Sequence, residues 1–399
     1  MNIATQKPLS KLIIKNVRII DAYNDFIGSV VISEGVIQKI YKEGSEIADA
    51  SSYQTFDATA LAVMPAMVDL HCHFREPGYE YKEDILSGLR AAVKGGYCYV
   101  AAMANTTPII DNTELILKNN TKAQKADLCA YNQISAIGVN LDDKILVDAK
   151  EISKLTKLFS NDGKSILSEE FMEKALATSR EYNFIVATHC DDETELIERD
   201  LKILSQTKGN LHICHVSKKQ SVDLIRKAKA DGLNVTCEVT PHHLFSHDLD
   251  YKVNPPIGSK EDNEALIQAV KDGTIDMLST DHAPHSAEDK QKGSPGISNI
   301  ETAFSMYIKV FKDNNIQLTR FCEMSSYAPA KLMGIDGGII SEGKEANLII
   351  ADIENLYKID KNAFISKSNN TPYDGYYVCG KILATIIKGA VKYDSGQAL

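Results

Sequence analysis

Eight apolar segments, each short enough to be a buried strand, alternate with stretches of helical spacing through the middle of this 399-residue chain. They cover 68–73, 97–103, 128–137, 155–159, 184–189, 211–215, 235–240 and 276–281. Between them, Ile85, Leu89, Ala92 and Val93 share one helical face and stop at Gly95-Gly96. Phe171, Met172, Ala175 and Leu176 do the same after Ser168, and Val222, Ile225 and Ala228 do so before Gly232. Ser259 to Asp262 reads as a capping box ahead of Leu266, Ile267 and Val270. Eight such alternations over about 270 residues are the pattern of a (β/α)8 barrel, a fold of about 250 residues.

Both ends of the chain have a different texture. Residues 12–20, 30–32 and 36–40 are β-rich, as are 346–351, 376–378, 382–387 and 391–393. The expected fold is therefore α/β: a TIM-like barrel over 62–335 and a small β-sandwich domain built from 1–61 plus 336–399. The polar stretch 286–296 reads as a mobile loop. A formal net charge of −10, with no Lys/Arg block, argues against a nucleic-acid or anionic membrane surface. No apolar run approaches the roughly 18–20 residues that span a bilayer. The first eleven residues lack a secretory signal, and eight scattered Cys form no Cys-x-x-Cys, so a reduced cytoplasmic protein is expected.

Active sites of such barrels form at the C-terminal strand ends. Read in order, those ends carry His71 and His73, Asn105, Asp162, His189, His215 and Asp281. All ten His of the chain lie between His71 and His285. In His71-Cys72-His73 the strand pleat turns both imidazoles to one face, a donor pair suited to zinc and similar ions, and Cys72 to the other. Cys190 and Cys214 are read as core by the same parity. His212 and His215 have opposite parity, so only one is expected to face the axis, and His215 is nearer the strand end. His242 and His243 read equally as packed or supporting residues, His247 as surface and His282 as packed.

These residues match a family. His71-Cys72-His73-Phe74-Arg75-Glu76-Pro77-Gly78 resembles the HxHxRxPG signature of the dihydroorotases of the amidohydrolase superfamily, and residues 279–285 (STDHAPH) resemble their second signature. Asn105-Thr106-Thr107-Pro108, Asn161-Asp162-Gly163, 212–217 and Asn254-Pro255-Pro256 follow in the expected order between them, and 343–348 resembles the return to the β-domain. The resemblance implies a binuclear metal barrel that interconverts N-carbamoyl-L-aspartate and dihydroorotate in pyrimidine biosynthesis. The segment from His189 to His215 is shorter than in many relatives, Tyr97-Cys98-Tyr99 replaces a Thr-rich strand, Ala104 stands where Pro is common, and Gly258 where Arg is frequent. None of these departures removes a metal ligand.

On this reading two divalent ions, zinc being the expected metal, are held by His71, His73 and Asp281 on one side and His189 and His215 on the other. Asp162 bridges them, where many superfamily members use a carboxylated Lys; Asn-Asp-Gly is also good turn chemistry, and both roles can hold. The pair activates a shared water and polarises the carbonyl. Asp281 is the expected general base and acid, moving a proton from that water to the leaving nitrogen. Arg75 is set to grip a substrate carboxylate, its alternative being a structural salt bridge. By resemblance, Asn105, Asn254, His285, Pro295 and Gly296 complete the substrate contacts. An allantoinase or dihydropyrimidinase is the nearest rival, disfavoured by Arg75 and Asp162, and a non-catalytic partner of aspartate transcarbamoylase ranks below it. A homodimer and a complex with aspartate transcarbamoylase are left open as partners. The histidine-free ends are expected to carry no chemistry.

Overall fold

The apolar runs pair in the way their alternation requires. The computed structural model describes residues 11–47 and 50–396, so the expectation for the N-terminus lies, apart from Lys11, outside the described residues. The strands are β1 (Lys11–Ile20), β2 (Asp25–Ser33), β3 (Val36–Lys42), β4 (Gln54–Asp57) and β5 (Ala62–Pro65), then β6 (Met67–Cys72), β7 (Tyr97–Ala102), β8 (Ala130–Gln133), β9 (Leu158–Ser160), β10 (Ile185–Thr188), β11 (Leu211–Ile213), β12 (Val235–Val239) and β13 (Met277–Leu278), and finally β14 (Leu348–Lys358), β15 (Tyr377–Ile387) and β16 (Ala390–Asp394).

Strands β6 to β13 are the barrel. They pair in parallel as two arcs, β6-β7-β8 and β9 to β13. Parallel bridges from Ser135 to Phe159 and from Cys72 to His282 close the ring. Every residue of β6, β7 and β10 is buried. A parallel sheet covered by helices on one face and filled on the other requires this, which is why these strands read as unbroken apolar runs. The helices follow their sequence signals. Ile85–Lys94 stops at Gly95, Ser168 caps Glu169–Tyr182, and Ser259 and Asp262 form the reciprocal box that opens Lys260–Asp272. Residues 286–296, read as a loop, contain a short helix, Ala287–Gln291, whose first turn is capped by Ser286.

The terminal strands form one eight-stranded sheet, ordered β16-β15-β14-β5-β1-β2-β3 with β4 beside β1. Leu12, Val30 and Ile37 from one end share a core with Leu383, Ile386 and Val391 from the other. β5 joins the halves, parallel to β1 and antiparallel to β14. The sheet thus extends past residue 61 into the segment read as barrel. The pleat explains this: Ala62 and Met64 pack into the barrel core while Val63 packs into the terminal core. Among the described residues, no helix is long and apolar enough to cross a membrane.

One packing contact ties the fold to the mouth of the barrel. Gly88, on the helix Ile85–Lys94, lies under the ring of Phe74, the residue after His73, and a Cβ there would sit 2.5 Å from the ring. Phe74 is buried. Gly88→Ala should therefore lower stability by about 1–3 kcal/mol through overpacking. The check is a urea denaturation curve, and a midpoint equal to the parent's would contradict this packing.

Candidate metal centre and substrate cavity

Apart from His71, which lies within β6, the site residues stand beyond the strand ends. β6 ends at Cys72 and β9 at Ser160, so the side chains beyond them are aimed by turns. His71 and His73 keep the expected parity: both Nε2 atoms point into the mouth, while the Cys72 thiol turns away to the Ala101 carbonyl. After β9, Asn161 accepts the N–H groups of Ile137 and Gly138, and the N–H of Asp162 donates to the Ser160 hydroxyl. This turn places the Asp162 carboxylate among four imidazoles. Its Oδ1 lies 3.3 Å from His71 Nε2, 3.6 Å from His189 Nδ1 and 3.6 Å from His215 Nε2, and its Oδ2 lies 3.4 Å from His73 Nε2. Asp281 Oδ1 lies 3.2 Å from His73 Nε2 and 3.5 Å from His71 Nε2.

Three sets of donors fall within 4.8 Å of one another around His71: with Asp162 and His215, with His73 and Asp281, and with Cys214 and Glu238. The buried Nε2 of His71 and Oδ1 of Asp162 have no hydrogen-bond partner, a costly arrangement unless a cation satisfies both. The electrostatics agree. Burial disfavours charge on His71, yet Asp162 and Glu238 raise its pKa well above the ordinary value. Burial likewise opposes charge on His189, but Asp162 and Asp191 raise it to about 9. Asp281 is lowered to about 2, burial being outweighed by the hydrogen bond from His73 and the charges of His71 and His73. The cluster demands positive charge at its centre, which a divalent ion supplies.

Pleat parity fails beyond the last ladder bonds. β11 ends at Ile213, and His215 reaches the axis from a left-handed backbone (φ 34°). His212 also faces the interior, with Nδ1 2.8 Å from Thr236 Oγ1 and Nε2 3.1 Å from Glu238 Oε2. The expectation that only one of the two histidines faces inward is therefore corrected. Glu238, absent from the sequence reading, is fully buried and holds His71 Nδ1 at 2.7 Å. A carboxylate inside the apolar strand Val235–Val239 was the available signal. Cys214 lies near His71 and Glu238, but burial pushes its thiol up to about 12, so it stays neutral. Asp191, also missed, accepts from His189 Nε2 at 3.2 Å.

Every expected site residue except His71 lines a cavity of about 180 Å³; His71 is wholly buried. Several are already engaged. Asn105 Oδ1 lies 3.0 Å from His73 Nδ1 while its Nδ2 donates to Asp162. Asn254 Nδ2 donates to Asp191 Oδ1 and lies 3.0 Å from His189 Nε2. The N–H of Gly296 donates to the Lys252 carbonyl, and its own carbonyl accepts from Lys290 and Asn370, so Gly296 meets the cavity through its Cα. Arg75 (φ 58°) donates to the Pro284 carbonyl and lies 3.1 Å from His285 Nε2. Among the described residues no carboxylate forms an ion pair with it. His285 is lowered to about 3 by burial and by the cations Arg75, Lys82 and Lys290, so it is neutral. His243 bonds Thr240 and the Pro255 carbonyl, His282 accepts the Asn299 N–H, and His247 is exposed beside Asp248, as their packing and surface readings require.

The family model for the amidohydrolase family matches residues 62–391. A dihydroorotase of Clostridium botulinum (strain Eklund 17B / Type B) is 39% identical, over 96% of this chain and 99% of its own length. One from Lactobacillus acidophilus is also 39% identical, over 86% of this chain and 90% of its own. Among solved structures, an L-hydantoinase (dihydropyrimidinase) from Arthrobacter aurescens superposes with a TM-score of 0.86 over 97% of both chains, at 24% identity. A D-hydantoinase superposes with a TM-score of 0.84 over 98% of this chain and 96% of its own, at 20% identity. At those identities the structural likeness carries the fold, a TIM-like barrel with a β-sandwich domain, and not the substrate. With its centre, its cavity and its matched length together, the chain belongs to the amidohydrolase family, and the two sequence relatives above are dihydroorotases.

Proposed function

We propose that this chain is a dihydroorotase, a hydrolase that interconverts N-carbamoyl-L-aspartate and dihydroorotate in pyrimidine biosynthesis. The observation that carries the reading is Arg75: a half-buried guanidinium with no ion-paired carboxylate among the described residues, opening on the same cavity as the Asp162-centred imidazoles. An unpaired cation that faces a cavity calls for an anionic group on the ligand. No lysine lines the cavity in the role that bridges the centre of many relatives.

His71, His73 and Asp281 would hold one divalent ion and His189 and His215 a second, the Asp162 carboxylate being near both sets of imidazoles; zinc suits this donor set. When bound, such ions polarise a carbonyl and make water a nucleophile at neutral pH. The chain's own residues do the rest. Arg75 takes the substrate carboxylate in its planar fork, with neutral His285 beside it. Asp281, ionised and hydrogen-bonded to His73, accepts the proton of the attacking water. As the amide C–N bond breaks, it delivers that proton to the leaving nitrogen, and ring closure runs the same steps backwards. Glu238 and Asn105 fix the rings of His71 and His73 through their Nδ1 atoms, and so orient the Nε2 atoms. This assigns the chemistry to 62–335 and leaves 1–61 with 336–399 as the β-sandwich, β5 being shared between them. Eight buried, unpaired thiols among the described residues suit a reducing cytoplasm.

Metal-replete protein should turn over dihydroorotate, and turnover of hydantoin or dihydrouracil in its place would refute the assignment. Elemental analysis should find two ions per chain in the parent, and Asp162→Ala should lose metal and activity together. One ion per chain in both proteins would contradict the bridge. Arg75→Lys should raise KM for dihydroorotate by about 10- to 100-fold with metal content intact, because a charged, bidentate hydrogen bond is lost. An unchanged KM would remove Arg75 from substrate binding.

A further inference from the structure

The histidine-free terminal segments are expected to carry no chemistry, yet one of their side chains holds the wall of the cavity. We infer that Asn370, in the connection between β14 and β15, is a positioning residue for substrate binding; the inference rests on the dihydroorotase reading of the same cavity.

The Asn370 amide is fully used. Its Oδ1 accepts the His285 N–H at 2.9 Å and the Ser298 hydroxyl at 2.6 Å. Its Nδ2 donates to the Gly296 carbonyl at 3.0 Å and the Ala283 carbonyl at 3.3 Å. The Asn370 carbonyl also accepts the Ser298 N–H at 2.9 Å. Ala283, His285 and Gly296 all line the cavity. Two acceptor and two donor bonds are what a side-chain amide can make, so neither Asp nor Ala can replace it without loss. His285 in turn sits against the Arg75 guanidinium, so the Asn370 amide indirectly sets the fork that faces the substrate carboxylate.

The segment carrying Asn370 is anchored at both sides of the mouth. Glu301 accepts the N–H groups of Ile365 and Ser366 at 2.8 and 2.9 Å. The buried Glu83 accepts the Ser366 hydroxyl and the Lys367 N–H, and the Lys82 carbonyl accepts the Ser368 hydroxyl at 2.7 Å. Lys82 Nζ lies 3.3 Å from His285 Nδ1. Residues 365–370 therefore strap the loop after β6, which bears Arg75, to the loop after β13, which bears His285 and Gly296. A displacement of about 1 Å in such a frame costs up to about 100-fold in turnover efficiency.

The test is steady-state kinetics on metal-replete Asn370→Ala and Ser298→Ala, with elemental analysis and amide hydrogen exchange over 284–298. Asn370→Ala should raise KM for dihydroorotate by about tenfold or more, leave kcat within about threefold and metal content unchanged, and speed exchange at His285. Ser298→Ala removes one of the four side-chain bonds and should raise KM by about two- to fivefold. A KM within about twofold of the parent in Asn370→Ala overturns the inference even if exchange accelerates, since that is a structural role only. If Asn370→Ala does not fold, an unchanged KM in Ser298→Ala overturns it. Failure of the parent to turn over dihydroorotate would strike the functional reading instead. In that case the comparison of variant with parent is made on the cyclic amide the parent does hydrolyse.

Discussion

The whole mouth of the barrel is organised around one buried carboxylate. Asp162 stands within 3.6 Å of four imidazoles supplied by three different strands, and a closed ring of parallel strands is what lets residues 71, 73, 189 and 215 converge on it. In a low-dielectric interior neither the carboxylate nor the rings are content alone. The carboxylate is held well below its ordinary pKa against a burial penalty, through the charge of His71 and the close approach of the His189 and His215 rings. Glu238 repeats the arrangement one layer deeper, between His71 and His212. The result is an acidic, ring-lined hollow in which a multivalent cation is the natural counter-charge.

The strands that build this hollow are short, and their shortness has a use. β11 and β13 span only three and two residues, so His215 and Asp281 stand outside any ladder. Arg75, His215 and Asp281 each adopt a left-handed backbone, with φ of 58°, 34° and 44°. Such conformations are disfavoured for residues with a Cβ and persist where surrounding contacts impose them. Here they release three side chains from the alternation of the pleat, so that residues of either parity face the same point.

This also explains what was legible in the sequence. Barrel strands and their helices were readable because burial on both faces leaves apolar runs, and because Gly95, Ser168 and Ser259 mark helix ends by local chemistry. The His and Asp set at the strand ends was readable for the same local reason. His212 was misjudged because parity was extended past Ile213, where the ladder has stopped. Glu238 carries a signal of its own, an acid in the middle of an apolar strand, whereas Asp191, exposed just past β10, carries none until the loops are brought together. β5 straddles the boundary at 61/62, because four buried residues that face two cores look, in sequence, like any apolar strand. Asn370 was beyond reach: a lone Asn in a polar connection, separated by 85 residues from the His285 N–H it holds, shows nothing until the loops are brought together.

The cavity has two electrical poles, and they constrain what can fill it. At one side lie Asp162 and Asp281 among the imidazoles; at the other lies Arg75, with Lys82 and Lys290 behind the neutral ring of His285. Arg75 is held by a carbonyl and an uncharged imidazole rather than by an acid, so its charge is left for the ligand. A cyclic amide without a carboxylate would leave that cation unanswered. A ligand with a carboxylate but no hydrolysable carbonyl would fill only one pole. The ligand that satisfies both carries an anionic group and a cyclic amide a short distance apart. Asn370 ties together the loops that carry His285 and Gly296, and His285 sits against the Arg75 guanidinium.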